Sequence, residues 1–541
     1  MPPPQDGGEA GASAKKRKRR HTTAPLHEAT HEAATGAGAA AAAAPGRKAR
    51  AAPGTASSLW DLSTPAPAGV APQTTLRTVP RSAAAAAALE VLRARALDRL
   101  RAQLHALCVA AGLEAPPQLG FERWRFCCKT GEEAAAAAPD KPQGPPRKRP
   151  FAGPADGTDP VLPCGSGVDG GDGGGLAADL VRAGLAQAPA DSVAAALHAA
   201  SLAEVAAICA TAQRLNCGVA APKAPGKAVA PEAPKAAFRK HSVDFSLGTT
   251  QFVTLTRAAY GKLVALHRAH GPEEERAPPL PPVADDADDV NDTEAAADAE
   301  ASAASAEEAA AEAAGTAPPR AALHARLFAL LLRHKAMKGS GFQAAAGPAV
   351  FEVLRSRLGV AFECFASPLN ARYSRYCSAF PDTDAPFGSA GSFFGFAPTK
   401  GAYELNPPFV PALLDRAASH ALALIAAAEA AGSALTFAVV LPGWGELEGR
   451  AGLLLSPLKR LSMRVAAADH GFVDGAAHAR RDPFRSSPYD TDLVVLQTAA
   501  AARKNPVDAR QLEAELRAAF AACVPSEAAA RRQNRLPMNR Q

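Results

Sequence analysis

Ten of the chain's 21 phenylalanines fall between Phe342 and Phe409, in a sequence whose aromatic content is only 5%. Large rings bury the most area per residue, so a dense, specific core is expected in that stretch and less so elsewhere. The 48% apolar content of the 541 residues is inflated by alanine, which buries little area per side chain. The length has room for two or three domains, but much of the chain is not core material.

Net charge is +6. The stretch from Asp285 to Glu312 carries eleven acids and no Lys or Arg, so the remainder is more basic than that figure. A basic body with one acidic insert suits a polyanionic partner such as RNA; solvated surface charge accounts for it equally well. Nine cysteines are scattered without a Cys-x-x-Cys pair, and Cys127 and Cys128 are adjacent, which is poor geometry for a bridge or a shared metal. They read as reduced thiols of a cytosolic or nuclear protein, with no metal site. The N-terminus is not a secretory leader, and no apolar run approaches a membrane span, so no membrane association is expected. Lys15 to Arg20 (KKRKRR) reads as a nuclear-import signal in preference to an RNA-binding arm.

Residues 1–80 are polar, aperiodic and rich in Pro, Ala and Gly, and are expected to be disordered. A mainly helical domain follows over 81–271. Ser82 to Val109 places Leu89, Leu92, Ala96, Leu100, Leu104 and Leu107 on one stripe, with Ser82 as cap. Phe121 to Lys129 and Leu176 to Leu215 supply further helical segments, separated by a Pro/Gly-rich linker, and a second linker runs from Pro222 to Pro234. Phe238 to Thr256 is strand-like, and Arg257 to His270 is helical. Residues 272–319 are expected to be a disordered acidic insertion. Leu323 to Lys338 leads into an α/β domain over 320–510. Its strands are Val360 to Phe365, a segment near Cys377 to Phe380, the run into Asn406, Thr436 to Leu441, Leu461 to Ala467 and Asp492 to Leu496. A C-terminal helix and tail occupy 511–541. This alternation implies a doubly wound sheet with ligands at the carboxyl ends of its strands.

Asn406-Pro407-Pro408-Phe409 carries the most chemistry. The Asn side-chain oxygen and the carbonyl between the prolines can accept hydrogen bonds from an exocyclic NH2 group. That aims the nitrogen lone pair at an electrophile while the aromatic ring stacks on the base. The prolines fix φ without spending a backbone N–H. Asn-Pro-Pro also starts ordinary turns, so the tetrapeptide alone is a weak signal.

Its context is stronger. Ala361 to Asn370 reads AFECFASPLN and Arg375 to Ser389 reads RYCSAFPDTDAPFGS. With NPPF, and with LFALLLRHKAM, GFQ, FAVVLPGW and DLVVLQ around them, these strings closely resemble the catalytic core of the phosphorylated-CTD-interacting factors, cap-specific adenosine N6-methyltransferases of eukaryotic mRNA. The resemblance spans roughly residues 322–500. It implies a Rossmann-like class I methyltransferase domain, S-adenosyl-L-methionine as cofactor, and the 5′ end of capped mRNA as partner in the nucleus. The expected substrate is the 2′-O-methyladenosine next to the cap.

The resemblance also implies roles for residues. Glu363, Phe365, Ala366, Ser367, Pro368 and Asn370 occupy the first cofactor loop, where many methyltransferases are glycine-rich; an ordinary strand-to-helix turn is the bland reading. Asp382 or Asp384 accepts from the cofactor ribose, unless the pair merely caps a turn. Asn406 touches cofactor and, with Pro408, positions the amine on which Phe409 stacks. No general base is required, because the product cation loses its proton readily. Trp444 and Glu446 shape the substrate site, with Gly445 standing where the family has Arg, and Val410-Pro411-Ala412 standing where animal members have an acidic residue. Trp444 reads alternatively as a core aromatic. Arg95, Trp124 and Arg125, with Arg93 and Arg123, are of the residue types that stack on a cap and bind its phosphates, and an amphipathic helix with exposed Arg explains them equally well; Lys459, Arg460 and Arg464 are candidates for further phosphate contacts. Trp60 and Trp124 lie too far apart for the paired Trp of a WW module, so neither that module nor polymerase-tail binding through it is expected. The rival readings are adenine methylation on other RNA or DNA, and an RNA-binding scaffold with weak catalysis.

Overall fold

The computed structural model describes residues 59–68, 70, 82–137, 159–164, 175–216, 233–248, 251–276, 299, 301–307, 310, 320–337, 344–445, 447–480 and 483–527. The Lys15–Arg20 block, Glu446, and most of the expected linkers and acidic insertion lie outside them.

The first half is built on helices. Helix α1 (Ala83–Ala110) starts where Ser82 accepts the N–H of Ala85 at 3.1 Å, an ordinary side-chain N-cap. Its stripe of Leu89, Ala96, Leu100 and Leu104 is buried as the periodicity predicts. It packs with α2 (Gly120–Ala137), α3 (Leu176–Arg182) and α4 (Gln187–Asn216) around one apolar core. An antiparallel sheet of β1 (Lys235–Phe238), β2 (Ser242–Leu247) and β3 (Gln251–Thr256) follows, then α5 (Arg257–His270) and α6 (Ala321–Met337).

Two expectations change here. No run of membrane-span length was expected, yet α4 is long and apolar enough to cross a membrane by length and composition. Alanine accounts for this, and Val193, Leu197, Val205 and Ile208 of α4 are buried in the helical core. The acidic insertion is not wholly without structure: residues 301–307 are helical, Ala301 and Ala304 are buried, and Glu307 pairs with Arg320 at 2.8 Å.

The second half is a mixed α/β layer. Strands β5 (Gly401–Leu405), β6 (Leu435–Pro442), β10 (Thr491–Gln497) and β7 (Lys459–Val465) lie in that order. β5 and β6 are parallel, and β10 is antiparallel to both β6 and β7. Beyond β5 the parallel array continues as single bridges, from Glu404 to Glu363, from Glu363 to Tyr376 and from Tyr376 to Ser389. The expected strand Val360–Phe365 is thus reduced to a short paired segment, with Phe362 O and Cys364 N bonding Glu404 at 2.9 and 2.8 Å.

Both faces of the sheet are covered. Ala438 and Val440 of β6 face α7 (Pro348–Leu358) and a C-terminal helix, Ala509–Ala521. Phe437, Val439 and Leu441 face α8 (Pro411–Ala430). The period-two alternation of an all-apolar strand thus serves two cores at once, each buried Val, Leu or Phe contributing roughly 1.5–3 kcal/mol. Helix α8 stops at Gly432, whose φ of 65° lies in the left-handed region that favours glycine. A small sheet of β4 (Ala344–Ala345), β8 (Gly471–Asp474) and β9 (Phe484–Ser486) flanks this layer. Among the described residues Cys108, Cys364, Cys377 and Cys523 are buried free thiols, and no His, Cys, Asp or Glu cluster that could hold a metal occurs.

Candidate active site

Three segments leave the parallel half of the sheet at one edge: the loop after Cys364, the turn after Leu405, and the loop after Pro442. β5 ends at Leu405 because Pro407 and Pro408 have no N–H to give a neighbour. Pro411 then opens α8 at its first turn, where proline is well tolerated.

Asn406 is buried, and its Nδ2 donates to the Ala344 carbonyl at 2.9 Å. This fixes the amide from behind and leaves the carboxamide oxygen as its acceptor. The Val410 N–H donates to the Pro408 carbonyl at 2.7 Å, closing a tight turn. That turn engages the carbonyl of Pro408, and the carbonyl between the prolines is that of Pro407. The Phe409 ring is half-buried, 6.1 Å from Trp444, and Trp444 is 5.3 Å from Tyr489, both edge-to-face.

The loop after Cys364 is shaped by side chains in place of glycines. Asn370 Oδ1 accepts the Ser367 N–H and hydroxyl at 2.7 and 2.9 Å, and the Ala366 N–H bonds Cys377 O at 2.9 Å. Glu363 Oε2 accepts the N–H groups of Arg372 and Tyr373 at 2.7 and 3.1 Å, so its carboxylate closes the loop from inside. Pro368 is buried, while Phe365 and Ala366 are half-buried.

Behind the motif lies a group that sequence reasoning missed. Glu404 is the register partner of Glu363, and both are buried. Burial raises the pKa of each, and the Glu363 charge raises Glu404 further, while the facing Asn406 amide draws it back. Lys262 on α5 reaches in, donating to the Ala371 carbonyl at 2.6 Å; burial lowers its pKa, and Glu363 pulls it up. A charged residue inside the short apolar strand before NPPF was the available signal.

Of the two acids weighed for the ribose role, Asp382 is already engaged. Arg333 holds both its oxygens, at 3.1 and 2.7 Å, and also binds Glu90 at 2.7 and 2.6 Å. Arg93 bridges Glu90 and Asp159 at 2.6 and 2.8 Å in the same buried network. Asp384 differs: it is fully buried, burial pushes its pKa up to about 7, its Oδ1 accepts the Thr383 hydroxyl at 2.9 Å, and its Oδ2 has no hydrogen-bond partner among the described residues.

Burial also corrects the cap-contact candidates. Trp124 is 0% exposed, packed 5.5 Å from Phe121, and has no open face for stacking. Arg125 is buried, and its pKa is lowered to about 10 by burial and the charge of Arg101. Arg93 is consumed by the ion network and Arg123 pairs with Asp179 at 2.7 Å; Arg95 is exposed. Lys459 and Arg460 open β7 at the far edge of the sheet, bonding Leu454 O and Gln497 O at 2.5 and 3.4 Å. Arg464 alone of that set is at the site's edge, held by Asp492 at 2.7 and 2.9 Å.

The fold and site together define a mixed α/β chain with the Asn406–Phe409 turn at the carboxyl edge of a parallel sheet segment. Residues 311–475 match the family model described as Phosphorylated CTD interacting factor 1 WW domain. Over 182 residues, 32% of this chain, the sequence is 37% identical to the mRNA (2'-O-methyladenosine-N(6)-)-methyltransferase of Homo sapiens, and equally to that of Mus musculus. The chain spans 25% of the length of these curated relatives. The family match overturns the expectation that a WW module and tail binding through it are absent. That expectation rested on Trp60 and Trp124, which both precede the matched region, whereas Trp444 lies inside it.

Proposed function

We propose that the chain is an S-adenosyl-L-methionine-dependent methyltransferase acting on N6 of the 2′-O-methyladenosine beside the cap of mRNA. The observation that carries the reading is Asn406, tied to Ala344 O so that its oxygen serves as acceptor at the edge where the Phe365–Asn370 loop also emerges. The names of the curated relatives, mRNA (2'-O-methyladenosine-N(6)-)-methyltransferases, agree with it. A Rossmann-like class I layout is supported by the parallel array with one antiparallel strand, β10, inserted between β6 and β7.

The residues present suit the cofactor. Phe365, Ala366 and Asn370 would line it, and the Asp384 Oδ2, without a hydrogen bond among the described residues, is an acceptor of the kind a ribose hydroxyl satisfies. When bound, it supplies an electrophilic methyl group. Asn406 and the Pro407 carbonyl hold the target amine in line, and Phe409 keeps the base planar against its ring. Catalysis then rests on orientation and on fixed dipoles. A nuclear setting and interaction with a phosphorylated CTD, in the words of the matched description, go with this reading.

A second reading, adenine methylation without cap dependence, is favoured by one observation: Trp124 and Arg125 are buried. Incubation with labelled cofactor and capped or uncapped A-start RNA separates the two. Transfer only to capped RNA is expected; equal transfer to both selects the second reading, and none to either removes both.

A further inference from the structure

We infer that Tyr489, together with Trp444, forms a second stacking position beside Phe409, so that the site takes a chain of at least two bases in preference to a lone adenine nucleoside. This rests on the methyl-transfer reading, whose aromatic platform is Phe409.

Tyr489 stands just before β10, which runs antiparallel to β6, so it reaches the same edge as the NPPF turn and the Trp444 loop. The residue is 45% exposed, and its ring lies 5.3 Å from Trp444, itself 6.1 Å from Phe409, both contacts edge-to-face. A residue serving only the core would be covered; this one is partly open to solvent at the end of a row that begins at Phe409. Its backbone is pinned. The Ser487 hydroxyl donates to the Tyr489 carbonyl at 2.6 Å and accepts its N–H at 3.3 Å. Next to it, Asp490 accepts the Gly443 N–H at 2.7 Å and, through its side chain, the Ala467 N–H at 3.0 Å. A ring held this way loses little entropy on stacking.

Charge adds little at this rim. The nearby cations Arg450 and Arg464 are both engaged with Asp492, so the second position offers a ring and depends weakly on salt. Its ligand is a planar base attached to the target nucleotide, either a purine on the 5′ side through a cap linkage or the next base on the 3′ side.

The full chain, as wild type, Tyr489→Ala and Tyr489→Phe, is assayed for methyl transfer to adenosine monophosphate, a capped dinucleotide and an uncapped dinucleotide. Binding of each is titrated in parallel. A stacked base contributes roughly 1–3 kcal/mol, so Tyr489→Ala should raise KM and Kd about tenfold or more for at least one dinucleotide at unchanged kcat. The monophosphate values should stay put, and Tyr489→Phe should behave as wild type. Which dinucleotide responds identifies the side from which the second base comes. Equal Kd for wild type and Tyr489→Ala on both dinucleotides overturns the second position. Weaker dinucleotide binding by Tyr489→Ala in a protein that transfers no methyl group upholds it, and removes the methyl-transfer reading instead.

Discussion

Asn406 is held by a bond that has nothing to do with substrate, the 2.9 Å contact from its amide nitrogen to Ala344 O. Asn406→Ala should therefore lower methyl transfer by a hundredfold or more, on the order of losing a preorganised transition-state contact. Its circular dichroism should be unchanged, with a thermal midpoint only a few degrees lower from the orphaned carbonyl. Retained transfer would sink the assignment. Glu404, two residues earlier, is a buried acid whose pKa is raised by burial and by Glu363. Its folded pKa exceeds the unfolded one, so its contribution is complete at low pH and is lost as pH rises toward the folded value. Glu404→Gln should then be more heat-stable than wild type at pH 8 and no different at pH 4. A thermal-shift series across that range checks the sign.

At the scale of elements, one ion network joins α1, α6 and the helical turn at Pro381–Asp384. Arg333 lies on α6, Glu90 on α1 and Asp382 in the turn, all buried. Breaking a buried network leaves uncompensated charge and costs about 3–5 kcal/mol. Arg333→Met should lower urea stability by that amount, and a loss below 1 kcal/mol would contradict the network's structural weight. The same network explains why Asp382 read as a cofactor ligand from sequence: an acid in a loop after a strand looks available until its partner, 49 residues away, is in place. Helix positions were legible by contrast. α5 spans Arg257–His270 as the periodicity predicts, and β6 has the length and burial expected of a strand covered on both faces. Periodicity is local and survives without knowledge of neighbours.

For the whole molecule, several histidines sit where the helical half meets the sheet layer. Burial lowers His334 to about 3, helped by the charges of His478 and Arg333, and lowers His478 to about 4. His270 is lowered to about 4 by burial and Arg375. Each has a folded pKa below its unfolded one, so the stability it confers is present above pH 6.5 and is lost as pH falls toward 4. The protein should lose thermal stability over that interval. His334→Gln should lose less of it, as calorimetry at pH 7 and pH 4.5 would register; identical losses would show that this histidine stays neutral in neither state or both.

The sequence by itself determined the motif, the strings around Glu363–Asn370 and the order of helices and strands, because each of these is a run of neighbours whose chemistry or periodicity is local. Only the tertiary structure decided which side chains are available. Trp124 and Arg125 have the right chemistry for a cap but are packed away, and Asp382 is spent on Arg333. Tyr489, which no motif singled out, comes to the edge of the site because β10 runs against β6. Burial and pairing depend on residues distant in the chain, and a string of letters does not state those distances.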